Sequence, residues 1–214
     1  MMSRYKAHGI EAEFEPGSRG RVLKNLLGIR FVREMGQRES EALLAVTLRL
    51  IDEIPVDRRF TSDDIRRMHS LWLGEIYPWA GEYRHVNLAK GDFMFAAAGQ
   101  IPELMKNFER GPLKEFTPCR FADMEDQAQA LAVVHAELIL IHPFRDGNGR
   151  CARLLATLMG LQAGLPALDF GGVRGREKKQ YIEAIHAGVG RDYAPMIAVF
   201  RRIISRTLKS ESVT

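Results

Sequence analysis

One segment near the middle of the chain leaves little choice of fold. From Phe121 onward the residues grow steadily more apolar, ending in Ala136-Glu137-Leu138-Ile139-Leu140-Ile141. The spacing predicts one long helix over 121–141. Its last part is apolar nearly all round, and such a helix is stable only at the centre of a fold. The rest of the chain supplies helices to cover it. Residues 39–54 carry Leu43, Val46, Leu50, Ile51 and Ile54 at amphipathic spacing, and Pro55 ends the run. Over 61–77, Thr61 with Asp64 reads as a capping box, Ile65, Met68, Trp72 and Ile76 form one face, and Pro78 is the predicted stop. Ile101–Phe108, Arg150–Ala163, 175–188 and 192–208 are further predicted helices, the second stopped by Gly164 and Pro166.

Residues 79–99 differ. Val-Asn-Leu-Ala, the turn Lys90-Gly91-Asp92, then Phe93-Met94-Phe95 predicts a β-hairpin, the one β element expected. The class is all-α with a small hairpin. Residues 1–20, with Pro16-Gly17-Ser18 and Gly20, are expected to form a loosely tied arm, 21–206 the domain and 207–214 a tail.

Composition excludes several classes. The 214 residues are 46% hydrophobic and 27% charged, which rules out a disordered or collagen-like chain. No apolar run reaches membrane-spanning length, and the first residues have no signal-peptide core. Cys119 and Cys151 lack paired spacing and fit a reducing cytoplasm. A net charge of +4, dispersed along the chain, does not argue for direct nucleic-acid binding.

Chemistry concentrates in His142-Pro143-Phe144-Arg145-Asp146-Gly147-Asn148-Gly149-Arg150-Cys151-Ala152-Arg153. Pro143 discourages further helix at His142. Gly147, Asn148 and Gly149 are expected to turn the backbone tightly, positive φ included. A glycine-bearing loop running into a helix N-terminus offers N–H groups and the positive end of a dipole to phosphate. Asp146 is a hard oxygen ligand for Mg²⁺. Arg150 and Arg153 share a helix face, where two guanidinium forks can hold further phosphate oxygens. Histidine is the residue type that exchanges a proton near neutral pH. Together these parts point to Mg-nucleotide chemistry in which His142 deprotonates a hydroxyl.

The same segment resembles the Fic motif, HPFx(D/E)GN(G/K)RxxR, at every fixed position. IYPWAGEYRHVNLAKGDFMFA is similar to the family's hairpin "flap", AGVGRDYAPM to its last conserved stretch, and VLKNLLGI to its usual start, so the likeness spans about residues 20–206. The resemblance implies a protein adenylyltransferase that moves AMP from ATP to a Ser, Thr or Tyr hydroxyl and releases pyrophosphate. By position it implies His142 as general base, Asp146 as the Mg²⁺ ligand, and the Gly147–Gly149 amides with Asn148 as the anion hole. Arg150 and Arg153 would hold phosphates, Phe144 would anchor the loop, and Lys90, Gly91, Asp92 and Phe93 on the flap would dock the target as an added strand. Gly149 stands where the family's phosphotransferase branch has Lys, which favours AMP transfer. The implied target is a housekeeping protein such as a DNA topoisomerase or gyrase.

Other readings stay open: de-AMPylation, phosphoryl transfer or phosphocholine transfer on the same fold, or a catalytically silent docking module. Fic enzymes are commonly held off by a helix bearing (S/T)xxxE(G/N), whose Glu pairs with the second motif arginine, here Arg153. No exact copy exists. Thr207–Ser212 matches except that Ser212 replaces Gly or Asn. A separate small antitoxin protein is the favoured source of inhibition, with self-inhibition by 207–211 as the alternative. His69, His85, His135 and His186 lack metal-ligand spacing and are expected to serve packing or surface, and Cys151 to pack rather than react.

Overall fold

Helices form where the apolar spacing runs at 3.6 residues, and the computed structural model, which describes residues 6–7 and 13–211, places them in two compact units. Each unit is assembled from separated stretches of chain. The first comprises residues up to 53, 62–106 and 141–148; the second comprises 54–61, 107–140 and 149 onward.

In the first unit α1 (Val32–Glu53) packs on α2 (Ser62–Leu73). Helix α1 starts at Val32 rather than at the expected Glu39, because the core face continues backward through Met35 and through Glu39 itself. Glu39 is buried with its polar groups used: its carbonyl accepts Trp72 Nε1–H (2.8 Å) and its carboxylate accepts the Tyr77 hydroxyl (2.7 Å). A carboxylate in a core position interrupts the apolar pattern that would have extended the prediction. Helix α2 stops at Leu73, ahead of the expected Pro78. The chain tightens there, with the Ile76 and Tyr77 N–H groups both returning to the Leu73 carbonyl (2.9 and 2.8 Å). Ile76 still reaches the core, 1% exposed.

The hairpin is present, β2 (Leu88–Lys90) pairing with β3 (Phe93–Met94) in the register Ala89↔Met94 and Lys90↔Phe93. Its two-residue turn, Gly91-Asp92, uses a φ of +61° at Gly91, which glycine adopts without a Cβ penalty. A third strand, β1 (Lys6–Ala7), pairs antiparallel with β2, giving the order β1-β2-β3. Sequence spacing held no sign of it. Of the expected arm, residues 1–5 and 8–12 lie outside the described residues. Residues 13–20 fold back on the next few residues of the chain: Glu15 N–H donates to the Val22 carbonyl (2.9 Å), and Lys24 pairs with Glu13 (2.8 Å).

Helix α3 (Ile101–Phe108) and the short α4 (Lys114–Phe116) lead to the second unit's central helices. Helix α5 (Met124–Ile141) is the expected apolar helix, with Ala128, Ala130, Leu131, Ala132 and Ala136 fully buried. Helix α6 (Asn148–Gln162) begins two residues before Arg150, at the motif asparagine. It ends in a Schellman cap, Gly164 at φ +76°, with Leu165 N–H on the Gly160 carbonyl (2.9 Å) and Gly164 N–H on that of Leu161 (3.0 Å). Helices α7 (Gly175–Ala187) and α8 (Ala194–Glu211) pack on each other. Among the described residues no helix is long and apolar enough to cross a membrane.

Candidate active site

Helix α5 ends at Ile141, and His142 comes next with φ +52°, a left-handed conformation that L-residues other than glycine adopt at a cost. The residue is 3% exposed, and its ring stacks on Phe95, the residue after β3, with centroids 3.6 Å apart and planes 20° from parallel. Phe93 meets Phe95 edge-on at 5.2 Å. A line of rings therefore runs from the predicted flap residue Phe93 to the predicted base.

The loop after His142 is closed by its own side chains. Asn148 Oδ1 accepts the Phe144 N–H and Nδ2 donates to the Phe144 carbonyl, both at 2.8 Å. The amide of Asn148, 1% exposed, is thus spent on holding the loop's shape. Gly147, at φ +81°, is required on two counts. Any Cβ there would be strained, and it would stand 2.7 Å from Trp72 Cζ3. Its N–H donates to Asp146 Oδ1 (2.6 Å). Phe144, fully buried as expected, stacks on His69 at 3.8 Å.

His69 performs more than packing. Gly81 N–H donates to its Nδ1 (2.9 Å), so the ring proton belongs on Nε2, which donates to the Asp146 carbonyl (3.0 Å). Arg84, 2% exposed, donates Nε–H to the His142 carbonyl (2.7 Å). The sequence assigned His69 only to packing or surface, and Arg84 was not singled out. The one available signal was that GEYR and the hairpin belong to a single similar segment.

Gly149, Arg150 and Arg153 ride on α6 in the second unit. Gly149 is helical, and a Cβ there would meet nothing within 4 Å. The positive φ expected across the glycine pair is therefore confined to Gly147. Arg150 is half-buried in the first turn. The Arg153 guanidinium lies over two aromatic faces, 5.5 Å from the Phe170 centroid and 5.8 Å from Tyr181. Tyr181 is held in turn by His135, whose Nε2 accepts its hydroxyl (2.7 Å) while Nδ1–H donates to the Ala152 carbonyl (3.2 Å). Burial pushes His135 down to about 3 and Tyr181 up to about 12; the nearby Arg153 charge adds to the first shift and opposes the second. Burial also pushes the thiols of Cys119 and Cys151 up to about 12, and neither is in a disulfide.

Asp146 is a single carboxylate, and among the described residues no group of three or more His, Cys, Asp or Glu side chains could hold a metal ion. Asp146 would supply one hard oxygen ligand to a Mg²⁺ ion.

Residues 59–159, which contain this loop, all of α5 and most of α6, match the family model "Fic/DOC family". This segment is a Fic/DOC-family domain. The chain is 31% identical over 173 residues to a protein adenylyltransferase Fic of Nematostella vectensis, a match over 78% of this chain and 37% of that one. The probable protein adenylyltransferase Fic of Escherichia coli is 27% identical over 89% of this chain and 91% of its own. The chain spans about a third of the length of the Nematostella relative and of the similar VbhT of Bartonella schoenbuchensis. Among solved structures, the N-terminal FIC domain of Bep8 from Bartonella sp. 1-1C superposes with a TM-score of 0.73 at 20% identity, covering 91% of this chain and 96% of that one. BepC from Bartonella tribocorum, solved with bound AMPPNP, gives 0.68 at 23% identity over 85% and 91%. The all-α Fic fold with its hairpin is therefore the fold of this chain.

In Fic terms, the predicted hairpin residues are found at and beside the turn, Lys90 and Phe93 as its flanking pair and Gly91 and Asp92 within it. The near-match to an inhibitory motif lies on α8. Its Thr207 is buried, with the hydroxyl accepting Asp169 N–H (2.9 Å) and donating to the Ile203 carbonyl (2.9 Å). Glu211 is the exposed last residue of α8, and Ser212 lies outside the described residues.

Proposed function

We propose that the protein is an adenylyltransferase that moves AMP from Mg-ATP to a hydroxyl of a target protein. The observation that carries this is the full HPFxDGNGRxxR match on a loop whose own groups fix its shape, with His142 at one end and the start of α6 at the other. His142 takes the proton of the target hydroxyl. The hydroxyl oxygen forms a bond to the α-phosphorus, the bond from that phosphorus to the α,β-bridging oxygen breaks, and pyrophosphate leaves. Such a transfer needs positioning and charge neutralisation more than covalent help. The first N–H groups of α6 have no intrahelical partner and suit phosphate oxygens, as do Arg150 and Arg153. Asp146 would hold Mg²⁺, which would supply neutralisation of phosphate charge. Nucleotide-bound relatives, BepC with AMPPNP and a Bartonella quintana Fic domain with ADP, support ATP as the donor.

The reading extends to regulation by an inhibitory Glu on a separate partner, an antitoxin-like helix, rather than by residues 207–211. In its support, Arg153 faces aromatic rings, and the Thr207 hydroxyl is already used inside the second unit. Replacement of Glu211 by Gly should leave basal transfer unchanged, and a rise would move inhibition to this helix.

The test of the activity pairs ATP labelled at the α-phosphate with ATP labelled at the γ-phosphate, each with Mg²⁺ and cell lysate. The expected result is a protein band with α-label only, lost in His142→Ala while nucleotide binding persists. A γ-labelled band would replace this reading with phosphoryl transfer.

A further inference from the structure

Arg84 is among the largest fully buried side chains of the protein. A buried guanidinium is costly unless its donors are met, and these are met by backbone carbonyls. Nε–H donates to His142 (2.7 Å), Nη1 to Val86 (2.6 Å) and Nη2 to Ala96 (2.6 Å), with the Ile141 carbonyl at 3.5 Å from Nη2. The Arg84 backbone N–H donates to the Pro143 carbonyl (2.9 Å). The carbonyls of Ile141, His142 and Pro143 thus all point at one residue, across the point where φ of His142 turns positive. Val86 lies just before the hairpin and Ala96 just after it, so the same cation also ties both feet of the flap.

We propose that Arg84 is the positioning residue that orients His142 and sets the flap in register with it. It acts through the backbone: the carbonyl hydrogen bonds hold a residue that would otherwise relax from the left-handed region, which fixes the direction of its imidazole. Anchoring Ala96 places the neighbouring Phe95 ring over His142. The planar fork is essential, since lysine offers three donors from a single nitrogen and cannot span His142, Val86 and Ala96 at once. The kinetic part rests on the AMP-transfer reading; the orientation of the His142 ring does not.

Arg84→Lys tests this with two readouts. The first is the ring-current shift of the His142 imidazole protons from Phe95, read by NMR on labelled protein. The second is kcat per nucleotide-binding site, with sites counted by Mg-AMPPNP titration so that unfolded protein is not scored. The expected result is loss of the ring-current shift and a kcat per site down about 100-fold, the scale for a misplaced reacting group, with the AMPPNP Kd within threefold of wild type. A merely structural arginine would lower the number of sites and leave kcat per site and the His142 shift as they are, and that result overturns the proposal. Should wild type transfer no AMP, the functional reading fails while the ring-current arm still decides the clamp. If the lysine variant does not melt cooperatively, Phe95→Leu replaces it. It keeps the guanidinium, and kcat per site should fall at least tenfold; a wild-type value sinks the register between flap and base.

Discussion

His135 gives stability a pH dependence that can be worked from its surroundings. The ring, on α5, is completely buried against Ala152 of α6, Tyr181 of α7 and Phe200 of α8, and burial, reinforced by the Arg153 charge, lowers it from 6.5 to about 3. Between those values the unfolded chain binds a proton that the folded chain refuses. Stability therefore falls as pH falls through this window, by about 1.4 kcal/mol per pH unit once well below 6.5. From pH 7.5 to 5.0 the loss assigned to this residue is about 2 kcal/mol. Urea unfolding at both pH values, for wild type and His135→Gln, isolates it, because every other titrating group cancels in the difference. Wild type should lose about 2 kcal/mol more than the variant, through the midpoint and with an unchanged slope m. Equal losses within about 0.5 kcal/mol, the usual limit of additivity, would refute the buried neutral ring.

The two motif glycines should part company in the same assay. Gly147→Ala should cost about 2 kcal/mol or more, from the positive φ and the approach to Trp72, whereas Gly149→Ala should match or exceed wild-type stability by up to about 1 kcal/mol, as expected at an unstrained helical site. Both thiols should be silent to a disulfide reagent at pH 8 in the native protein and react in denaturant, since burial pushes them to about 12; fast native reaction at Cys151 would show an open α6.

Local rules carried most of the fold. Apolar spacing found the helices, and alternation about Gly91-Asp92 found the hairpin. They failed where one residue served a distant one. Glu39 hid the first turns of α1 because its carboxylate meets Tyr77, remote in sequence. The candidate site was legible through its motif, yet the motif is silent on what holds it. His69 and Arg84 reach the loop across 77 and 58 positions, through backbone carbonyls that leave no compositional trace. Gly149 also misled the local reading: it has the composition of a turn residue and the conformation of a helical one.

The three-stranded order of the small sheet carries one more consequence. With Lys6 and Ala7 seated along β2, that side of the sheet is already taken, and among the described residues no strand pairs with the far side of β3. Beyond β3 an incoming extended peptide would meet no strand of the described residues, but to lie along β2 it must first evict the protein's own strand. Whatever is joined ahead of Lys6, an affinity tag included, is thereby attached to the flap, and its effect should be felt there rather than at a chain end.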